Sequence, residues 1–161
     1  MSGESGNTQV IERFYGGFAT GDGASMASCC HADVHFYDPV FQDLNGPEVM
    51  KMWRTLLTRS DDLRIKLGDH QANETNGTAH WTADYTFATT GRPVTNEIDA
   101  TFRFQDGLII DHADSFDFWR WSRMALGTTG LLLGWSPLVK SKVRKQSAEL
   151  LATGGTGDTA G

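Results

Sequence analysis

Two ionisable residues, His112 and Asp114, fall on what the sequence predicts to be one face of a strand. With the two-residue period of a strand, they share that face with four apolar residues: Leu108, Ile110, Phe116 and Phe118. Burial in an apolar space penalises the charged form of an ionisable group, and a carboxyl group brought towards neutrality suits general acid–base catalysis. The alternative is that the two side chains pair with each other or with the backbone and serve only the fold.

Two further aspartates are candidates by position. Asp38 follows a predicted short strand, 34–37, where a carboxylate is either a general base at a pocket mouth or a turn former. Asp99 alternates with apolar neighbours, which predicts a solvated face. His31 and His35 are predicted to be surface or partly buried residues.

Aromatic residues are abundant: five Trp, nine Phe and three Tyr make up 11% of the chain. Most fall on or just after predicted strands, which indicates a pocket for a flat apolar ligand. An aromatic core or a dimer interface would produce the same composition. The predicted pocket walls are Phe14, Phe18, Trp53, Trp81, Tyr85 and Phe116.

Several function classes find no support in the sequence. The formal net charge of −6 disfavours nucleic-acid binding, and no apolar run reaches the roughly 18 residues of a membrane span. No phosphate loop, metal-ligand spacing or nucleophile elbow is present, and Cys29 and Cys30 are adjacent. We therefore expect a cytoplasmic protein that uses neither a cofactor nor a metal. The polar N-terminus does not resemble a signal peptide.

The apolar period predicts an α+β fold, because three helices precede a four-stranded antiparallel meander. The helices cover 8–20, a short stretch after Asp22 that carries Cys30, and a segment from Asn45 to about Arg59. Asp106-Gly107 predicts a tight hairpin before the last strand. The predicted divisions are a flexible N-terminus (1–7), the main domain (8–119), a C-terminal helical extension (120–152) and a disordered tail (153–161).

The segments VIERFYGGFATGD, HADVHFYDPVF, GPEVMKMW and TGRPVTNEIDATFRFQDGLIIDHADSFDFW resemble the nuclear transport factor 2-like superfamily. Within it the chain is similar to the SnoaL-like group, whose relatives include ketosteroid isomerase, polyketide cyclases and limonene epoxide hydrolase. The resemblance covers about Gln9 to Trp119. It implies a cone-shaped, curved antiparallel (cystatin-like) sheet packed against three N-terminal helices, a small hydrophobic ligand and a homodimer.

Residue by residue, the resemblance implies several roles. The base of ketosteroid isomerase falls on Asp38, and its oxyanion-hole tyrosine falls on Phe14, with Tyr15 about 100° away around the helix. The protonated aspartic acid of that hole falls on Asp99 or, in a register one residue later, on Ala100.

The other relatives imply roles for the last strand. The epoxide hydrolase comparison places an acid on Asp114, whereas its Arg-x-Asp pair falls near Trp81 and Ala83. Polyketide cyclases use a pocket aspartate and histidine, a role that suits Asp114 and His112. The sequence thus predicts a cofactor-independent isomerase or cyclase-like enzyme. The alternatives are a non-catalytic ligand-binding or dimerisation module and an epoxide hydrolase.

Overall fold

A computed structural model describes residues 2–59, 61–128 and 137–154. It confirms the predicted α+β class. Five helices are described: α1 (Ser2–Thr20), α2 (Gly23–Ser28), α3 (Pro47–Arg59), α4 (Phe118–Leu126) and α5 (Pro137–Gly154). Six strands are described: β1 (Cys30–Tyr37), β2 (Leu44–Asn45), β3 (Arg64–Ala72), β4 (Asn76–Phe87), β5 (Arg92–Gln105) and β6 (Leu108–Ser115).

The six strands form one curved, open sheet in the order β2-β1-β6-β5-β4-β3. The predicted meander is confirmed as β3 to β6, and β1 adds a strand parallel to β6 that the sequence pattern placed only in part. Register shifts interrupt three of the ladders, between β1 and β6, β3 and β4, and β5 and β6. Because a bulge bends its strand and increases the local twist, these shifts account for the curvature.

Local chemistry explains where the N-terminal helices end and begin. Gly21, at φ +74°, ends α1, and the Asp22 amide donates to the carbonyl of Gly17 across that end. The Asp22 side chain then caps α2 by accepting from the Ser25 amide at 3.1 Å. Helix α1 begins at Ser2, six residues before the predicted start, and Cys30 begins β1 instead of ending α2.

The core lies between the concave face of the sheet and α1 to α3. Its largest fully buried side chains include Trp53, Tyr15, Phe14 and Phe36. Helices α4 and α5 are together called the C-terminal extension. A second, smaller apolar cluster joins them to the sheet, and the buried members of this cluster are Val94, Phe118, Trp121, Ala125 and Val143. The predicted tail at 153–161 lies largely outside the described residues.

Candidate functional site

A bulge in β6 decides which of its residues face the core. Phe104 of β5 pairs with Ile109, but the preceding Arg103 pairs with Asp111, so Ile110 is the extra residue. His112 and Asp114 face inward as predicted, and both are buried. The prediction that Ile110 shares their face is wrong, since the extra residue reverses the alternation and Ile109 is the fully buried one. The predicted strand also ends early, because Phe118 begins α4.

The side chains of His112 and Asp114 are hydrogen-bonded to each other in the core. The Nε2 atom of His112 lies 2.9 Å from Oδ1 of Asp114, and their side chains are 2% and 3% exposed. The indole N–H of Trp81 points to the same carboxylate oxygen at 3.4 Å. A buried carboxylate needs such partners. His112, Asp114 and Trp81 therefore form a small hydrogen-bonded polar cluster inside an apolar interior.

Four aromatic rings enclose the imidazole of His112. Its centroid lies 4.5 Å from Phe102, 5.0 Å from Phe36 and 5.6 Å from Phe14. The Trp53 ring stacks on it at 5.7 Å with an interplanar angle of 24°. Such close contacts hold the imidazole orientation, and they also fill the space around it.

Asp38 lies in the turn that follows β1 and has two roles there. Its Oδ1 accepts from the amide of Val40 at 2.7 Å and from the amide of Phe41, so it does form the turn. Burial and, to a smaller extent, the charge of Asp114 nonetheless raise the pKa of the Asp38 carboxyl, which comes to about 7. The two amide bonds and the guanidinium of Arg144 act in the opposite direction. A carboxyl group that titrates near neutrality can both accept and return a proton.

Tyr15 is a site residue that sequence reasoning missed. It is buried beside Phe14 at 2% exposure, and its hydroxyl has no hydrogen-bond partner among the described residues. Burial, followed by the charge of Asp114, raises its pKa well above the ordinary value, so the group stays a hydroxyl. The sequence did carry one signal for this. The apolar stripe of a core helix is at least about 100° wide, so two consecutive residues such as Phe14 and Tyr15 can both face inward.

Trp53 also holds an unused donor. Its indole N–H is buried and unpartnered within the described part of the chain. Two orphan donors in one core are unusual, because an unmade hydrogen bond costs the full desolvation of the group.

Asp99 does not join this group. Its side chain is 79% exposed on the outer face of the sheet. There its Oδ1 atom lies 2.8 Å from Nδ1 of His80, within hydrogen-bond distance. Ala100 faces inward instead, at 2% exposure and directly opposite Asp114. The structure thus resolves the register left open by the resemblance in favour of Ala100, and Asp99 cannot act with Asp38 and Asp114.

The six predicted wall residues divide into two groups. Phe14, Phe18, Trp53 and Trp81 are buried in the main core. Tyr85 and Phe116 are partly buried at the junction between the main core and the cluster of the C-terminal extension. His31 and His35 are partly exposed, as predicted.

The described residues line two open grooves, of about 390 and about 280 Å³. Neither includes Asp38, His112 or Asp114; the smaller one runs past Phe116 and the exposed Asp99. A ligand pocket inside the cone therefore stays a prediction. Among the described residues, no three His, Cys, Asp or Glu side chains are placed to hold a metal ion, and no helix is long and apolar enough to cross a membrane.

Solved structures with the same fold include proteins of several descriptions. An NTF2-like protein of unknown function from Burkholderia pseudomallei is 20% identical, with a TM-score of 0.66 over 74% of this chain and 96% of its own. A proposed polyketide cyclase from Silicibacter is 18% identical, with a TM-score of 0.65 over 76% and 96%. An epoxide hydrolase of the LEH-like type from Mycobacterium tuberculosis is 19% identical, with a TM-score of 0.60 over 84% and 96%.

Sequence comparison carries the assignment further than these distant structural likenesses. None of the curated protein sequences matches the chain significantly. The model of the SnoaL-like domain matches residues 11–112, from the middle of α1 to His112 on β6. That match spans more than half of the chain, and so the protein belongs to the SnoaL-like domain family.

Proposed function

We propose that the protein is a cofactor-independent acid–base enzyme that acts on a small hydrophobic carbonyl compound at the mouth of the cone. The mouth is defined as the turn that carries Asp38 together with the junction around Tyr85 and Phe116. The observation that carries the proposal is Asp38, whose pKa is raised to about 7 by burial and by the nearby Asp114. The charge of Asp114 disfavours ionisation of Asp38, so Asp38 can hold a proton near neutral pH.

The roles follow from the surroundings of each group. Asp38, at the partly exposed turn, removes a proton from the carbon next to the carbonyl. The electron pair of that C–H bond forms a C=C bond, and the carbonyl oxygen gains the negative charge. Asp38 then returns the proton to the substrate. Asp114, held by His112 and Trp81, makes Asp38 a stronger base through its charge. The Tyr15 hydroxyl, which has no partner among the described residues, is available to an oxygen that reaches the interior.

Proton exchange on a simple ketone tests this proposal without a known substrate. The probe is 2-tetralone in D₂O, and the loss of its α-proton signals is followed by NMR. We expect the wild-type protein to accelerate exchange, and Asp38→Asn to slow the catalysed rate by about 10²- to 10⁴-fold, the typical contribution of a positioned base.

The matched control is Asp99→Asn, which removes a carboxylate from the outer face of the same sheet. Its exchange rate should equal that of the wild type. Equal rates for Asp38→Asn and Asp99→Asn would refute the assignment of Asp38 as the base.

The filled interior favours a second function, a non-catalytic module. The four rings around His112 leave the His112–Asp114 pair enclosed, as in a structural pair. Under this reading, Asp114→Asn lowers the free energy of unfolding but leaves any exchange rate per folded molecule unchanged. If the module is one for dimerisation, light scattering will show a dimer that persists when no ligand is added. Epoxide hydrolysis is less supported, because Trp81 and Ala83 lack the groups of the Arg-x-Asp pair.

A further inference from the structure

The C-terminal extension contacts the proposed site through one short hydrogen bond. The indole nitrogen of Trp121, on α4, lies 2.7 Å from the hydroxyl oxygen of Tyr85, on β4. Trp121 is buried, and Tyr85 packs against both apolar clusters. The family match ends at residue 112, so this bond links the shared fold to a segment beyond the match.

The direction of this bond is set by chemistry. An indole N–H can only donate, so the oxygen of Tyr85 must be the acceptor. The Tyr85 hydrogen is then directed away from Trp121, and among the described residues it has no further partner. Burial and the negative charge of Asp38 both raise the pKa of Tyr85, so the group remains a hydroxyl at neutral pH. Val40, two residues after Asp38, packs against the same apolar cluster as Tyr85, which places the Asp38 turn and Tyr85 at the same end of the fold.

We propose that Tyr85 donates a hydrogen bond to the oxygen of the bound ligand, beside Asp38, and that Trp121 positions it for that contact. This inference rests on the proposed function for the carbonyl chemistry. When Asp38 removes the α-proton, the negative charge forms on the ligand oxygen, where a hydroxyl that is already oriented stabilises it most. No proton leaves Tyr85 in this step.

The extension is held at the mouth by further bonds. The Nε atom of Arg144, on α5, donates to the carbonyl of Pro39 at 2.9 Å, next to Asp38 in sequence. Arg92, on β5, donates to the carbonyl of Met124 at 2.9 Å near the end of α4. The Arg92 bond holds the end of α4, and Val143 of α5 lies in the same buried cluster as Trp121, so Trp121 is fixed as a positioning residue requires.

Binding of two aromatic probes tests the inference separately from catalysis. The probes are 2-naphthol, which resembles the enol of 2-tetralone, and naphthalene, which lacks the oxygen; calorimetry measures both affinities. We expect Tyr85→Phe to weaken 2-naphthol by about tenfold and naphthalene by less than about twofold, since only a hydrogen bond is lost. Trp121→Phe should weaken 2-naphthol by about threefold, with the same indifference to naphthalene.

Two controls separate positioning from packing. Trp119→Phe changes a more exposed tryptophan on the same helix and should leave both affinities unchanged. The double variant Tyr85→Phe with Trp121→Phe should bind 2-naphthol no more weakly than Tyr85→Phe alone, because Trp121 acts through Tyr85.

The outcomes distinguish this inference from the proposed function. Equal 2-naphthol affinity for Tyr85→Phe and wild type would overturn the inference, as would a wild type that does not bind 2-naphthol. Additive losses in the double variant would overturn the role of Trp121. A Tyr85-dependent affinity for 2-naphthol without exchange of 2-tetralone would support the binding role and reject the catalytic function.

Discussion

At the scale of single residues, Asp38 combines a structural and a chemical role. In the turn, its carboxylate accepts hydrogen bonds from two backbone amides, and these bonds favour the charged form. Burial favours the neutral form more strongly and brings its pKa to about 7. The folded protein therefore holds a proton on Asp38 under conditions where the unfolded chain has released it.

This difference makes stability depend on pH in a defined direction. Between pH 3.8, the ordinary pKa, and about 7, the folded state binds the proton more tightly, so Asp38 lowers the free energy of unfolding as pH rises through that window. Above pH 7 the penalty is constant. Asp38→Asn keeps an acceptor oxygen for both amides and removes the penalty. We expect the variant to gain stability relative to wild type, by an amount that grows across the window to a few kcal/mol, in urea unfolding at a series of pH values.

Asp22 provides a control of opposite sign. Its bonds to Ser25 lower its pKa, so it stabilises the fold above its ordinary pKa and loses that effect as pH falls through its folded value. Asp22→Asn should therefore lose stability at neutral pH and lose less in acid. A constant difference between Asp38→Asn and wild type across the window would contradict the raised pKa.

The inward direction of His112 and Asp114 could be predicted because alternation along a strand reports on faces directly. The burial of Tyr15 could not be predicted in the same way. The apolar face of a helix is wide enough to hold neighbouring residues, and both Phe14 and Tyr15 are buried between α1 and the sheet.

At the scale of elements, helix and hairpin positions were predictable wherever a local signal fixes the backbone. Asp106 and Gly107 have φ values of +55° and +75°, as a tight hairpin with both central residues left-handed requires. The bulge at Ile110 carries no comparable signal, since an extra residue depends on the partner strand. The parallel pairing of β1 with β6 likewise joins segments far apart in the chain, which the period of either strand cannot reveal.

Helix α4 gives a prediction at this scale. The Asp117 side chain accepts from the Arg120 amide at 3.1 Å and caps the helix that carries Trp121. Asp117→Ala should cost about 1 kcal/mol of unfolding free energy in urea, because the first turn loses its acceptor. Asp117→Asn keeps the acceptor and should stay within a few tenths of a kcal/mol of wild type. Equal losses in the two variants would show that charge, not capping, matters there.

At the scale of the whole molecule, the aromatic composition admits two interpretations, a filled core or an open pocket. In the structure, the rings of Phe14, Trp53 and His112 are in mutual contact at 5.6 to 5.7 Å between centroids. The two grooves lie elsewhere. The rings around His112 fill the space that a ligand inside the cone would occupy, so binding at the junction around Tyr85 and Phe116 stays a proposal.

Truncation of Phe14 decides between the two interpretations. In a filled core, Phe14→Ala removes a ring with 0% exposure and should cost about 3–5 kcal/mol of unfolding free energy, because the neighbours cannot collapse into the gap. The variant should also bind naphthalene more tightly than wild type, since an apolar cavity accepts an apolar guest. Trp119→Ala, at a site 37% exposed, should change stability by about 1 kcal/mol or less. A small loss for Phe14→Ala, with unchanged naphthalene affinity, would mean instead that the cone already holds an open pocket. The substrate would then reach His112 and Asp114 directly.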